Sequence, residues 1–429
     1  MEPGFSPLDE ELGLLPGRLT PRLVEHLVRL GTWMPFAPAA TLLIAFTGVR
    51  VSAASARRLT EAAGAHLVAV ETAAAAALAP PADPGPETDQ RLQVSADGVM
   101  VALTDGTWAE VKSAAIGRVV LRPDERGQWR PHTEDLSYFA RLAAADAFTR
   151  LAVVECHRRG VRAAAAVAGV QDGAPWLQGF LDYQCSDAVR ILDFPHALEH
   201  IAAAGRAVWG PEGAPVPAWV QRQAETLKTR GPAEVLCELR RLQRAHPAAA
   251  PTIGEQVAYL ATRVAQLDYP AFAAAGWPVG SGIVESANKL VVEARLKGAG
   301  MRWARKHVNP LLALRGGVCS DRWGEVWPQL LRAWQSQGAQ QAAARRHRRH
   351  AAAPAPRPPA PPTAQVDAVV VAEVVAILAA PAPRPEAAAG PPARSAAGPR
   401  RPAANHPWRR SPIGKAARPA NEAPAIAKP

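Results

Sequence analysis

At about residue 90 the apolar positions of this chain stop recurring every three to four residues and begin to recur every second one. Before the change, 19–30 has helical spacing behind Thr20-Pro21, a capping residue followed by a proline suited to the first helical position. A second helical stretch, 36–46, ends at Thr47-Gly48-Val49, and Ser52 opens a third, 53–63, which carries Arg57, Arg58 and Glu61. The Pro-rich segment 79–85 then reads as a linker. In 91–103, Leu92, Val94 and Ala96 fall on one face and Gln93, Ser95 and Asp97 on the other, the pattern of a strand. Asp105-Gly106 turns into a second strand at 108–112, and 116–121 is expected as a third. A long amphipathic helix over 136–159, a strand over 161–170 ending at Asp172-Gly173, a helix over 176–181 and a strand over 188–192 follow. The class is therefore α/β with a mixed sheet.

From 195 to 269 the pattern is helical throughout, broken near Gly210-Pro211 and at 246–251. The loop Gly276-Trp277-Pro278-Val279-Gly280-Ser281-Gly282 then precedes a helix over 283–297. The order βββαβαβ is that of an RNase H-like sheet, here holding an all-helical insertion. The expected division is a helical, helix-turn-helix-like DNA-binding region at 1–80 and a first part of the sheet domain at 88–194. The insertion takes 195–276 and the last part of the sheet domain 277–335. An Ala/Pro/Arg-rich tail at 345–429 is expected to be disordered. A helix, a Gly turn and an arginine-bearing helix match the helix-turn-helix outline, but any αα-hairpin shares it.

Charge adds less than its total suggests. The chain has 49 Lys+Arg against 38 Asp+Glu, a net +11. From Arg345 onward there are fourteen against four, so the rest is nearly neutral and a nucleic-acid surface there must come from local patches. Cys156, Cys185, Cys237 and Cys319 form no CxxC pair, which argues against a zinc ribbon and a disulfide scaffold. The acidic start Met-Glu-Pro-Gly lacks an apolar core, so no signal peptide is expected. The run 366–380 contains Asp367 and Glu373 and falls short of the ~20 residues a membrane span needs. A cytoplasmic protein with no membrane partner is expected.

Three carboxylates stand out by position. Asp97 lies on the strand face away from Leu92, Asp172 ends a strand before a glycine, and Glu285 sits in the first turn after the Gly-rich loop. Two Asp on adjacent strands and a Glu on a packed helix suit two hard cations held ~3.5–4 Å apart for phosphoryl transfer. Each acid also has an ordinary structural explanation. Glu285, Lys289, Glu293 and Lys297 fall at the four-residue steps of a salt-bridged helix face, and Asp172-Gly173 makes a common turn. A competing pattern, His196-Ala-Leu-Glu199-His200, is the H-x-x-E-H of inverted zinc peptidases, which would need a third ligand from elsewhere.

Four segments carry a family resemblance. "AVRILDFPHALEHIAAAGRAVWG", "GWPVGSGIVESANKLVVEARLKGAGMRWARKHVNPLLALR", "DGVMVALTDGTWAEVK" and "DGAPW" together resemble the ISKra-type bacterial insertion-sequence transposases over roughly residues 5–335. The resemblance implies a DDE enzyme with an RNase H-like catalytic core, in which Asp97, Asp172 and Glu285 are the catalytic acids and hold Mg²⁺ or Mn²⁺. Asp193 and His196 resemble the Asp-x-x-His element at the start of the insertion in Mutator-like relatives. The partners implied are terminal inverted repeats and target DNA, engaged by a homo-oligomer on nucleoid DNA. Lys289, Arg295, Lys297, Arg302 and Arg305 would then offer phosphate contacts, with Trp303 stacking or wedging beside them. A solvated helix face with a core tryptophan explains the same residues. The resemblance also implies a Cys-rich zinc-binding segment ahead of "PLDEELGL", for which this sequence holds no Cys pair. A copy that binds DNA without catalysis, and the zinc peptidase, stand as the alternative functions.

Overall fold

Thr20 and Pro21 start the first helix as their chemistry requires: the Thr20 hydroxyl accepts from the Leu23 amide, and proline occupies a position whose N–H would have no helical partner. The computed structural model describes residues 19–78 and 88–351. Helix α1 (Pro21–Trp33) is followed by α2 (Phe36–Thr47), which closes on Gly48 at φ +71°. Ser52 caps α3 (Ala53–Ala77), its hydroxyl accepting from the Ser55 amide at 3.1 Å. The third helix is thus far longer than the 53–63 segment expected, because an alanine-rich run continues it.

The sheet follows. Strand β1 (Thr88–Ala102) pairs antiparallel with β2 (Trp108–Pro123), which pairs antiparallel with β3 (Trp129–Arg141). Helix α4 (Ala145–Arg158) leads to β4 (Ala164–Gln171), parallel to β1; α5 (Pro175–Gln184) leads to β5 (Val189–Leu192), parallel to β4. The order across the sheet is β3-β2-β1-β4-β5.

Three strands precede α4, as expected, but two of them are drawn differently. The segments 108–112 and 116–121 are one strand, and the third strand takes residues assigned to the start of a helix at 136. Its hairpin turns on Asp124, whose Oδ1 accepts from the amides of Arg126 and Gln128. Between Ile116 and Arg118 the β2–β3 register slips around Asp135, which sits at φ +51°. That is a bulge, with two residues of β3 opposite Gly117. A Cβ on Gly117 would lie 2.5 Å from the Thr133 methyl, so the bulge tolerates no side chain there.

Both faces of the sheet are covered. Leu92, Val94 and Ala96 pack with Phe148, Leu177 and Phe180 of α4 and α5. The alternate residues Val99, Val101 and Leu103 pack under the C-terminal helices. These are α11 (Gly282–Ala287), a π-helical turn at Asn288–Glu293, α12 (Ala294–Leu296) and α13 (Arg305–Cys319), preceded in the chain by the insertion. The insertion is α6 (Phe194–Trp209), α7 (Pro215–Arg230), α8 (Pro232–Ala245), α9 (Ala250–Ala261) and α10 (Tyr269–Ala274), with a core around Ile201, Trp219, Leu239 and Ile253 that continues onto Val170, Ile191 and Leu192 of the sheet. The N-terminal helices do not stand alone: Leu27, Leu43, Leu59 and Leu67 share a core with Leu314, Trp327 and Leu330.

The last helix, α14 (Trp323–Ala351), runs past residue 345, where the tail was expected to begin. The remainder of that tail, with the 366–380 run, lies outside the described residues, as do residues 1–18. Among the described residues no helix is long and apolar enough to cross a membrane, and the four cysteines are free.

Candidate functional site

The insertion leaves and rejoins the sheet domain at one point, and Asp193 is the clasp. It caps α6 by accepting from the His196 amide (3.1 Å), while its other oxygen accepts from the Ser281 amide (2.7 Å). The Phe194 amide donates to the Val279 carbonyl at 3.0 Å beside it. From β1, Gln93 donates to the Gly280 carbonyl (3.0 Å), and Arg91 donates to the Ala275 carbonyl (2.7 Å) with its guanidinium over Trp277. The loop 275–281 is therefore fixed to β1 and to the end of β5, and the helix that starts at Gly282 is aimed by it. Asp193 is buried, and both of its oxygens accept from backbone N–H groups.

Asp97 lies within β1, and Asp172 follows directly on the last residue of the neighbouring strand β4. The paired β1–β4 register ends at Val94↔Gly169, three residues before each of the two aspartates. Asp97 faces the side covered by α11 and the π turn, as the alternation predicts. Its Oδ2 accepts from Asn288 Nδ2 at 2.7 Å and its Oδ1 from the Gly98 amide at 2.6 Å. Burial pushes the Asp97 carboxyl above its usual range and the negative charge of Asp172 adds to this, against the lowering pull of the Gly98 and Asn288 donors. Asp172 keeps a turn role as well: its Oδ1 accepts from the Ala174 amide at the start of α5.

Asn288 has no place in the motifs that the sequence offers. It enters because the backbone after Ala287 widens into a π-helical turn, a feature often found at functional sites. Its Oδ1 is buried with no hydrogen-bond partner, on the same amide whose nitrogen holds Asp97. Its position three residues after Glu285 is the sole hint of it, and ordinary helical spacing gives no reason to single it out.

Glu285 is brought to the same side of the sheet, one turn before Asn288, but its residue is exposed. Among the described residues no three His, Cys, Asp or Glu side chains are gathered closely enough to hold a metal ion. The structure thus pairs the two aspartates and supplies an extra oxygen from Asn288, while Glu285 stands apart. The oxygen-only donors suit a hard divalent cation.

Behind Asp172 the insertion packs onto the turn. Tyr259 donates to the Asp172 carbonyl at 2.6 Å, and Arg263, stacked over Tyr259, donates to the Gly173 carbonyl at 3.0 Å. Gly173 has φ +78°, and a Cβ there would meet the Tyr259 oxygen at 2.7 Å. His196 and His200 lie against the same tyrosine. Glu199 is exposed and no third protein ligand among the described residues completes a peptidase-type site.

The cationic residues divide. Arg295 is 2% exposed, donates to the Gly31 carbonyl at 3.0 Å and lies over Phe36 and Trp303. Burial holds its guanidinium down at about 10. It serves the C-terminal end of α1, where unpaired carbonyls favour a cation, and the phosphate contact expected of it is corrected. Trp303 is half-buried; its indole donates to the Leu296 carbonyl at 3.0 Å and its backbone bridges Leu103, the packing role that the sequence also allowed. Lys297 is exposed and ion-paired to Glu293 at 2.8 Å, the helix-face pairing that the spacing allowed. Lys289, Arg302 and Arg305 are exposed.

Arg57 and Arg58 are exposed at the start of α3 and line a groove of about 590 Å³ whose far side is Lys306 and His307 of α13. His307 Nδ1 lies 3.1 Å from the Glu61 carboxylate across it. The helix-turn-helix-like arginines and the start of α13 therefore form one cationic surface, which the sequence separates by almost 250 residues. No protein-family model matches the chain, and no curated protein matches it in sequence.

Proposed function

We propose that the chain is a DDE-type transposase of a bacterial insertion sequence, with an RNase H-like core, acting on DNA ends in the cytoplasm. The observation that carries the reading is the pair Asp97–Asp172, one in β1 and the other at the end of its parallel neighbour β4, with the Asp97 carboxyl raised by burial and by the charge of Asp172. The strand order β3-β2-β1-β4-β5 and the helical insertion after β5 support the RNase H-like assignment.

Asp97, Asp172 and Glu285 are the proposed ligands of Mg²⁺ or Mn²⁺, and the unpartnered Asn288 Oδ1 is a further oxygen on the amide that holds Asp97. A divalent ion held there would supply activation of an attacking oxygen and stabilisation of a leaving one. The protein's own part is positioning. Asn288 and the Gly98 amide fix the Asp97 carboxylate, the Ala174 amide fixes that of Asp172, and the Asp193 clasp aims the helix that bears Glu285. Arg57, Arg58 and Lys306 hold backbone phosphates, with Lys289, Arg302 and Arg305 as further contacts. Action on two DNA ends implies a dimer or larger assembly.

The test is Mg²⁺- or Mn²⁺-dependent cleavage of DNA carrying the element's flanking inverted repeats. Wild type should cleave, and Asp97→Ala and Glu285→Ala should not. Specific binding with no cleavage by wild type would leave DNA binding without catalysis, and absence of both would refute the proposal.

A further inference from the structure

The two histidines of α6 meet in an unusual way. His196 Nε2 and His200 Nε2 are 3.3 Å apart. His200 Nδ1 is 2.6 Å from Gln256 Oε1, an acceptor, so Nδ1 carries the proton and Nε2 of the neutral ring is bare. Burial lowers the pKa of His200, which favours that neutral ring. His196 Nδ1 faces the Glu199 carboxylate at 3.4 Å, which favours the proton on Nδ1 there too.

The His196 Nε2 atom then looks at two acceptors. One is the His200 Nε2 lone pair. The other is the Tyr259 oxygen at 3.2 Å, whose own hydrogen is committed to the Asp172 carbonyl. Two imidazole lone pairs turned on each other are relieved in one of two ways: His196 carries its proton on Nε2 and donates to His200, or a metal ion binds both nitrogens. Ligands bound at 2.0–2.1 Å in tetrahedral geometry stand about 3.3 Å apart, which is the separation found. The acceptors on both Nδ1 atoms are the outer partners that metal-binding histidines characteristically have.

We propose that His196 and His200 form a two-histidine chelate for a divalent transition ion, distinct from the carboxylate site around Asp97. The donors select the metal: neutral imidazoles take Zn²⁺, Ni²⁺ or Cu²⁺, whereas Mg²⁺ prefers oxygen. With two protein ligands, the remaining positions face solvent and the Tyr259 oxygen. Gln256 and Tyr259 both belong to α9 and Tyr259 holds the Asp172 carbonyl, so an ion here braces α6 and α9 behind the turn that carries Asp172. The site does not depend on the transposase reading.

The test is calorimetric titration of the full chain with Ni²⁺, and separately with Zn²⁺. Wild type should bind one ion more than His196→Gln/His200→Gln. Gln256→Leu, which keeps both ligands and removes one outer partner, should weaken that site by about 10-fold or more. Asp97→Asn should leave it unchanged, which separates it from the carboxylate site. Circular dichroism should show the double variant folded; if it is not, the Gln256→Leu titration decides. Equal stoichiometry in wild type and a folded double variant, or Gln256→Leu affinity equal to wild type, would overturn the chelate and leave a proton between the rings.

Discussion

Replacing Asp193 by alanine removes two hydrogen bonds from one buried residue, and their values can be worked separately. The N-cap bond to the His196 amide is worth about 1 kcal/mol. The bond from the Ser281 amide to a carboxylate is charge-assisted and worth roughly 1.5–3 kcal/mol. Asp193→Ala should therefore cost about 3 kcal/mol in denaturant unfolding, a large share of the roughly 5–15 kcal/mol typical of a folded protein. Ser281 offers a way to isolate the second bond. Its φ of −85° is close to what proline accepts, so Ser281→Pro deletes the amide donor with little backbone change. In a double-mutant cycle the two substitutions should be coupled by about 1.5–3 kcal/mol. Ser281→Ala, which keeps the amide, should be nearly silent at this bond. An Asp193→Ala cost below about 1 kcal/mol, or additive single substitutions, would show that the clasp does not hold the insertion to the loop.

Three further outcomes follow from the placement of charge. Changing Arg57, Arg58 and Lys306 together to alanine should reduce the dependence of log K on log[salt] for duplex DNA by roughly 2–3, at about 0.9 for each phosphate that is no longer neutralised. Arg295→Met should leave that slope unchanged while destabilising the fold, since Arg295 is buried against α1; the reverse result would undo the division of cations. His66 stacks on Trp334, and burial lowers its pKa below the ordinary 6.5. The unfolded chain then takes the proton first, so stability should fall as pH drops below about 6.5 toward the lower folded value. His66→Phe should narrow the difference in melting temperature between about pH 7.5 and about pH 5, and an unchanged difference would remove His66 as its source.

Local chemistry makes parts of this fold legible. Thr20-Pro21, Gly48 and Ser52 mark helix ends because capping needs only a few adjacent residues. The period of two places Asp97 on the correct face of β1. The third strand escapes the sequence because Leu136, Tyr138 and Ala140 alternate with Ser137 and Phe139 over too short a run to exclude a helix. Pairing with β2, a long-range contact, decides it. Arg295 resembles part of a basic face because its neighbours Glu293 and Lys297 are solvated. Only the end of α1, some 260 residues earlier, shows that the side chain points inward. Asn288 is invisible for a related reason: its approach to Asp97 depends on one widened turn, and no spacing rule announces such a turn.

The central claim is that Asp97 and Asp172 hold a divalent ion between neighbouring strands, and Mn²⁺ binding followed by electron paramagnetic resonance reads it directly. Wild type should bind Mn²⁺ with an affinity that falls by at least about 10-fold in Asp97→Asn and in Asp172→Asn, since each loses a charged ligand. Mn²⁺ affinity unchanged in both variants would contradict the claim.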